Sequence, residues 1–304
     1  MLLAVCPNPS VDTFVWIESL EPGKVHRALR EQRFPGGKGV HVALAAAELN
    51  EKVTLLGFWG GETGTWIKNE CQKRNIHCIG PQLKEWSRSC FTYKSEGIYD
   101  DTELLGCGPE ITLEEYHDLI NIFSDIVNRC DVITLSGSWP NGAPDQGYSE
   151  MIKIARTVDK PVFLDATGES FKKGLVENPY AIHLNSVESR SITGFTDIRE
   201  IIMHLRKYVD LVAITAGKEG LFLGLEDSIL HGKVMLPEIY SAVGSGDCLT
   251  AGLAISVKNK MTMEEMLKLG VACGGANCLR EDLGMLYKRD VERLLDKVEI
   301  KSNW

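Results

Sequence analysis

Apolar residues in this chain come in short, nearly unbroken runs. LLAV from Leu2, VTLLGF from Val53, VITLSG from Val132, VFLDA from Val162, YAIHLN from Tyr180, LVAITAG from Leu211 and LFLGL from Leu221 are each four to seven residues long. None shows the strict alternation of a half-solvated strand, so they predict strands buried on both faces. Between them stand segments with helical spacing: VHVALAAAELN from Val40, WIKNECQKRN from Trp66, LEEYHDLINIFSDIV from Leu113 and IREIIMHLRKYV from Ile198. Strands spaced by helices predict an α/β class with a mostly parallel sheet covered on both sides.

Two stretches break that rhythm. TFVWIESLEPGKVHRALREQRF, after Asp12, and SRSCFTYKSEGIYDDTELL, after Trp86, read as strands joined by turns with no helix between. They predict a small β-sheet, built from about 12–34 and 87–106, that leaves the main sheet and closes over its cleft as a lid. Its exposed face could pair with a second copy, giving a homodimer. No repeat, low-complexity segment or linker divides the rest, so 1–304 reads as a single domain.

Composition narrows the function. The chain has 304 residues, 44% of them apolar, enough for a large core. With 42 acidic against 33 basic residues the net charge is -9, which argues against nucleic acid or an anionic membrane as partner. A local basic pocket for a small anion stays open. No apolar run reaches the ~18 residues a membrane span needs. The start, MLLAVCPNPSVD, lacks a basic lead and is broken by Pro7 and Pro9, so it reads as a first strand and not a signal peptide. Nine cysteines carry no CxxC pair and no neighbouring histidines that would complete a zinc set; they read as reduced thiols of a cytoplasmic protein.

The candidate chemistry lies in five short motifs. In SAVGSGDCLTAGLA, Gly244 and Gly246 let backbone N–H groups converge, and a helix from about Asp247 adds its positive end. Gly244, Ser245 and Gly246 would then form an anion hole for a transferring phosphoryl group, with Asp247 placed to accept a proton from an attacking hydroxyl. An N-capped helix after a glycine turn stands beside that reading. The spacing excludes a P-loop, a nucleophile elbow and a dinucleotide fingerprint. In PGGKG, Lys38 could reach an anion or be a solvent lysine in a tight turn. Asp12, ending NPSVD, could accept from sugar hydroxyls or cap a proline-rich turn. In HLNSVESR, Asn185 and Glu188 could orient water around Mg²⁺ or simply cap a helix. Thr215, Gly217 and Gly220 form a turn that lines a nucleotide cleft or closes a hairpin.

In this order NPxxD, GGKG, SGSxP, NxxE, TxGxxG and GSGD resemble the ribokinase-like (PfkB-type) carbohydrate kinases, from Cys6 to about Gly284. The resemblance implies a three-layer ribokinase-like α/β core with a β lid, and Mg²⁺-ATP as phosphoryl donor. It implies Asp247 as catalytic base with Gly244, Ser245 and Gly246 as anion hole. Asp12, Gly36, Gly37, His41 and Ser138 fall with the sugar site. Asn185, Thr215, Gly217, Gly220 and Asn277 fall with the ATP site, and Asn185 and Glu188 with magnesium. SRSC with Arg88 and VHRA with Arg27 are similar to the phosphosugar branch, which includes tagatose-6-phosphate kinase and 1-phosphofructokinase. A pocket of Arg88, Lys38 and Arg27 would hold the phosphate already on the sugar, since a guanidinium fork suits phosphate.

Two positions depart from the branch. His41 stands where Asn is usual, and His183 with Leu184 replaces the usual KPN. The expected activity is phosphoryl transfer from ATP to a ketohexose monophosphate. A kinase for an unphosphorylated sugar or a nucleoside, and a non-catalytic sugar-phosphate sensor, are the alternatives.

Overall fold

The computed structural model describes residues 1–282 and 284–302. Sixteen strands appear in chain order: β1 (Leu2–Cys6), β2 (Ser10–Trp16), β3 (Arg30–Gly36), β4 (Val53–Gly57), β5 (Trp59–Gly60), β6 (His77–Ile79), β7 (Gln82–Leu83), β8 (Arg88–Lys94), β9 (Thr102–Leu105), β10 (Val132–Ser136), β11 (Val162–Asp165), β12 (Ala181–Asn185), β13 (Leu211–Thr215), β14 (Leu221–Leu225), β15 (Ser228–Lys233) and β16 (Glu299–Ser302). The α-helices are α1 (Lys38–Glu48), α2 (Gly61–Gln72), α3 (Leu113–Ile126), α4 (Gly147–Arg156), α5 (Gly168–Leu175), α6 (Ser186–Thr193), α7 (Ile198–Leu205), α8 (Ser245–Lys258), α9 (Met263–Cys278) and α10 (Lys288–Leu295). No helix among the described residues is long and apolar enough to cross a membrane.

Ten strands form one sheet, ordered β16-β15-β14-β13-β12-β11-β10-β1-β4-β6. Pairing is parallel from β6 to β13 and antiparallel from β13 to β16. Each buried strand divides its side chains between two cores. In β1, Leu2, Ala4 and Cys6 pack with Val40 and Leu44 of α1 and Cys248 and Leu253 of α8. Leu3 and Val5 turn the other way, toward Leu119 and Phe123 of α3 and Met151 of α4. Apolar side chains are needed on both faces, which is why these strands read as continuous runs. The result is the three-layer α/β fold the sequence predicts.

The second sheet has the order β3-β2-β8-β9. β2 pairs antiparallel with β3 and parallel with β8, and places Asp12 opposite Phe34 and Cys90. As the sequence predicts, β2 and β3 are joined without a helix; the connection runs over residues 17–29 and turns at Pro22 and Gly23. Phe14, Trp16 and Phe34 pack edge to face on one side of this sheet, and Arg30 lies 4.4 Å above the Trp16 ring.

Parallel strands bring their carboxyl ends to one rim, where open α/β sheets bind ligands. Here that rim carries the segments after β1, β10, β11, β12 and β13, which are neighbours in the sheet. The small sheet rises from the same rim.

Candidate active site

Three local structures supply the centre of the site. The first is the turn from β1 into β2, which ends in Asp12. The second is the junction of β3 and α1. Gly36 there passes so close to Asp12 that a Cβ would stand 2.1 Å from the carboxylate carbon. The third is the start of α8. Gly244 caps that helix at φ +83, a left-handed conformation glycine adopts without strain. The Ser245 N–H bonds the Ala242 carbonyl at 3.1 Å. The next two N–H groups, of Gly246 and Asp247, have no hydrogen-bond partner among the described residues. The Gly244 N–H has none either, so Ser245 alone in this turn has its amide taken up.

Asp247 is 6% exposed and meets His41 of α1, whose Nδ1 donates to its Oδ2 at 2.8 Å. The other ring nitrogen, Nε2, faces Asp12 Oδ2 at 3.5 Å. Ser10 Oγ donates to Asp12 Oδ1 at 2.6 Å. Burial would raise the Asp12 carboxyl, but His41 and Ser10 outweigh it and hold it below its usual range. Burial likewise opposes charge on His41. The hydrogen bonds and charges of Asp12 and Asp247 overcome it and push the imidazole up to about 10.

A second polar chain runs behind the anion hole. Lys38 Nζ donates to Asp165 Oδ1 at 2.7 Å. His183 Nδ1 donates to Asp165 Oδ2 at 3.3 Å, and its Nε2 faces Thr215 Oγ1 at 3.2 Å. The His183 ring touches the α8 turn: a Cβ on Gly246 would stand 2.9 Å from its Cε1. Burial works against the Asp165 charge, yet Lys38 and His183 keep it well below the carboxylate range. Lys38 is held well above the ordinary lysine value against burial, first by Asp165, then by Asp247 and Glu188. Asp165 was not singled out in the sequence. Its signal is an acid closing the apolar run VFLDA at the sheet's ligand-binding rim.

The other sequence candidates are spread unevenly. Arg88 opens β8 opposite Ser10, and its charge acts on Asp12 and Cys90. Its Nε is buried with no hydrogen-bond partner among the described residues. Lys38 does not join it, being bound to Asp165, and Arg27 lies exposed in the loop between β2 and β3. The expected trio of cations is thus not assembled here. Ser138 is exposed after β10, and Gly37 caps α1. Asn185 and Glu188 form a reciprocal capping box: the Asn185 side chain accepts from the Val187 and Glu188 N–H groups, and Glu188 accepts from the Asn185 N–H at 2.8 Å. Thr215, Gly217 and Gly220 lie at the end of β13 and in the turn after it. Asn277 is 1% exposed, and its amide donates to the Met285 carbonyl at 2.9 Å. It holds the loop beyond α9, and its Oδ1 has no hydrogen-bond partner among the described residues. That loop reaches the centre at Gly284, which lies against His41 and Gly244.

A phosphoryl-transfer site needs a base beside a hydroxyl, bare amides for an anion, and cations near both. Those parts lie here on one rim. The comparisons with known proteins agree with the geometry. The family model "pfkB family carbohydrate kinase" matches residues 9–286. The chain is 28% identical to a 1-phosphofructokinase of Bacillus subtilis (strain 168), over 99% of each chain. Escherichia coli phosphofructokinase-2, in complex with substrates and products, superposes with a TM-score of 0.89 at 21% identity, over 97% of this chain and 98% of that one. A Thermotoga maritima protein described as a possible 1-phosphofructokinase does so with a TM-score of 0.89 at 20% identity, over 100% of both chains. This chain belongs to the pfkB family of carbohydrate kinases, phosphotransferases that act on a sugar hydroxyl.

Proposed function

We propose that the chain transfers the γ-phosphoryl group of ATP to a primary hydroxyl of a ketohexose monophosphate, of the fructose 1-phosphate or tagatose 6-phosphate kind, to give a bisphosphate. The observation that carries the phosphorylated acceptor is Arg88. It stands beside the sugar-side carboxylate Asp12 with a buried N–H that no described residue satisfies. A buried, unpaired guanidinium N–H is costly unless a ligand completes it, and phosphate does so through paired charge-assisted bonds. The likeness to the Bacillus subtilis 1-phosphofructokinase supports the same class.

In this reading the hydroxyl proton passes to Asp247 as the new O–P bond forms. His41 engages Oδ2 of that carboxylate, leaving Oδ1 for the hydroxyl. The Gly246 and Asp247 amides meet the charge that spreads over the transferring group. Lys38, fixed by Asp165, adds a cation on the nucleotide side. No cluster of three His, Cys, Asp or Glu side chains among the described residues could hold a metal by itself. Magnesium on the ATP phosphates needs only one or two oxygen-bearing side chains and water. Glu188, whose charge reaches Lys38, would fit that need, with Asn185, whose Oδ1 already accepts two N–H groups, reaching the ion only through water; a bound ion would neutralise charge on the phosphates. Closure of the small sheet as a lid would exclude water from the transfer.

Arg88→Ala tests the reading. The KM for the phosphorylated acceptor is expected to rise about tenfold or more, with kcat less affected. Single-turnover ATP consumption with fructose 1-phosphate, tagatose 6-phosphate, fructose 6-phosphate and unphosphorylated fructose names the class. Fructose serving as well as its phosphate esters overturns it.

The small sheet is also proposed to pair two copies of the chain. Leu104 and Leu105 of β9, at one edge, and Val25 and Leu29 of the connection between β2 and β3 are its exposed apolar side chains. Static light scattering is expected to give twice the 33.7 kDa chain mass; a monomer at working concentration removes this part.

A further inference from the structure

We propose, resting on the kinase reading above, that His41 is a positioning residue: an imidazolium that ties the base Asp247 to the sugar-side carboxylate Asp12 and keeps both oriented for the transfer. The imidazole lies between the two carboxylates, 2.8 Å from one and 3.5 Å from the other. Nε2 is buried, and no described residue offers it a closer partner. Carboxylates only accept, so Nδ1 carries hydrogen toward Asp247, and Nε2, which makes no hydrogen bond of its own, turns toward the charge of Asp12. The ring is 4% exposed and covered by the backbone of Gly284, where a Cβ would stand 2.1 Å from Cδ2. A cation in that position attracts both carboxylates and holds them on either side of one ring. An amide at this position would offer a donor but no charge.

The proton count is simple. The acceptor's hydroxyl proton moves to Asp247 Oδ1, an O–P bond forms, the bond from the γ-phosphorus to the ADP oxygen breaks, and His41 keeps both its protons. Asp12 and Asp247 therefore present only acceptors to the sugar at this point, which favours an acceptor carrying two hydroxyls there.

The charged and titratable groups near the ring are Asp247 on α8, Asp12 on β2 and Glu103 on β9, with Arg88 and Cys90 on β8 beside Asp12 and Cys6 on β1 beside Asp247. Lys38, one turn earlier on α1, is occupied by Asp165. Against burial, the two carboxylates raise the His41 pKa to about 10. The stability this pairing contributes is complete below the ordinary histidine value of about 6.5 and declines above it. It is lost as pH rises through about 10.

Nitrogen NMR of the intact protein with 15N-labelled histidine reads the charge without any substrate, His41 being assigned by the signals that His41→Asn loses. Both ring nitrogens are expected to keep imidazolium shifts from about pH 6 to about pH 9, where an ordinary histidine becomes neutral. A His41 ring that is neutral at about pH 7.5 overturns the proposal, whatever the acceptor proves to be. In turnover, His41→Leu is expected to lower kcat about tenfold or more with little change in the KM for ATP, and His41→Asn to recover part of the loss. The wild-type kcat should fall as pH approaches about 10, and His41→Asn should lack that fall. Equal kcat for wild type and His41→Leu overturns the role. If no sugar phosphate supports turnover, the acceptor assignment fails while the NMR result still decides the charge.

Discussion

Asp247→Ala is expected to lower turnover about a hundredfold or more, with the KM values for both substrates changed only a few-fold. The carboxylate lies at the first turn of α8, beside two unpaired amides and in hydrogen-bond contact with His41. Removing it takes away the proton acceptor and leaves the His41 charge without its nearest partner. Asp247→Asn separates those effects, since the amide oxygen still accepts from His41 but cannot take a proton at neutral pH. Both variants should therefore lose turnover, while the asparagine variant should keep more of the thermal stability. A kcat equal to the wild type in either one removes Asp247 from the role of base.

Gly36→Ala is expected to lower kcat/KM for the sugar about a hundredfold, because misplacing a positioning group by about 1 Å is enough for such a loss. The new methyl carbon would stand 2.1 Å from Asp12 Cγ and Oδ2. The nearest obstacle is the end of a side chain, so the chain relieves the clash by swinging the carboxylate away. That movement breaks its contacts with Ser10 and His41. Folding should survive with a modest fall in Tm while sugar binding weakens and the KM for ATP stays near normal. A variant whose sugar KM and kcat both match the wild type would show that Asp12 is not fixed by this contact.

How much could be read in the chain depended on whether the needed partner was close in sequence. The sheet was legible because parallel strands with helices on both faces must be apolar throughout, as Leu2 to Val5 and Leu211 to Ile214 are. α9 was not legible in the same way. Met266, Leu267 and the run from Gly270 to Asn277 are all buried, so beyond Lys268 the helix shows no polar face and no clear period. The short polar helix α6 has little apolar period, and its start was legible only through its cap, Asn185 with Glu188 three residues on, which is a local pattern. Motif order pointed to the carbohydrate-kinase family, and the family match bears that out. The partner of Lys38 was not accessible to such reasoning. Asp165 lies 127 residues away, and only the fold brings the end of β11 to the start of α1, 2.7 Å from the lysine. The bridge from His41 to Asp247 spans 206 residues and was equally hidden. A histidine in place of asparagine could be noticed in the sequence, but its consequence could not.

That last separation bears on how catalytic competence arises. Because the reacting centre joins the first helix of the chain to the eighth, no early-forming portion holds a working fraction of it. Contacts between such distant segments form slowly, after local structure has settled. During renaturation, helical signal should therefore return first and phosphoryl transfer last, which makes catalysis in this chain a reporter of complete assembly.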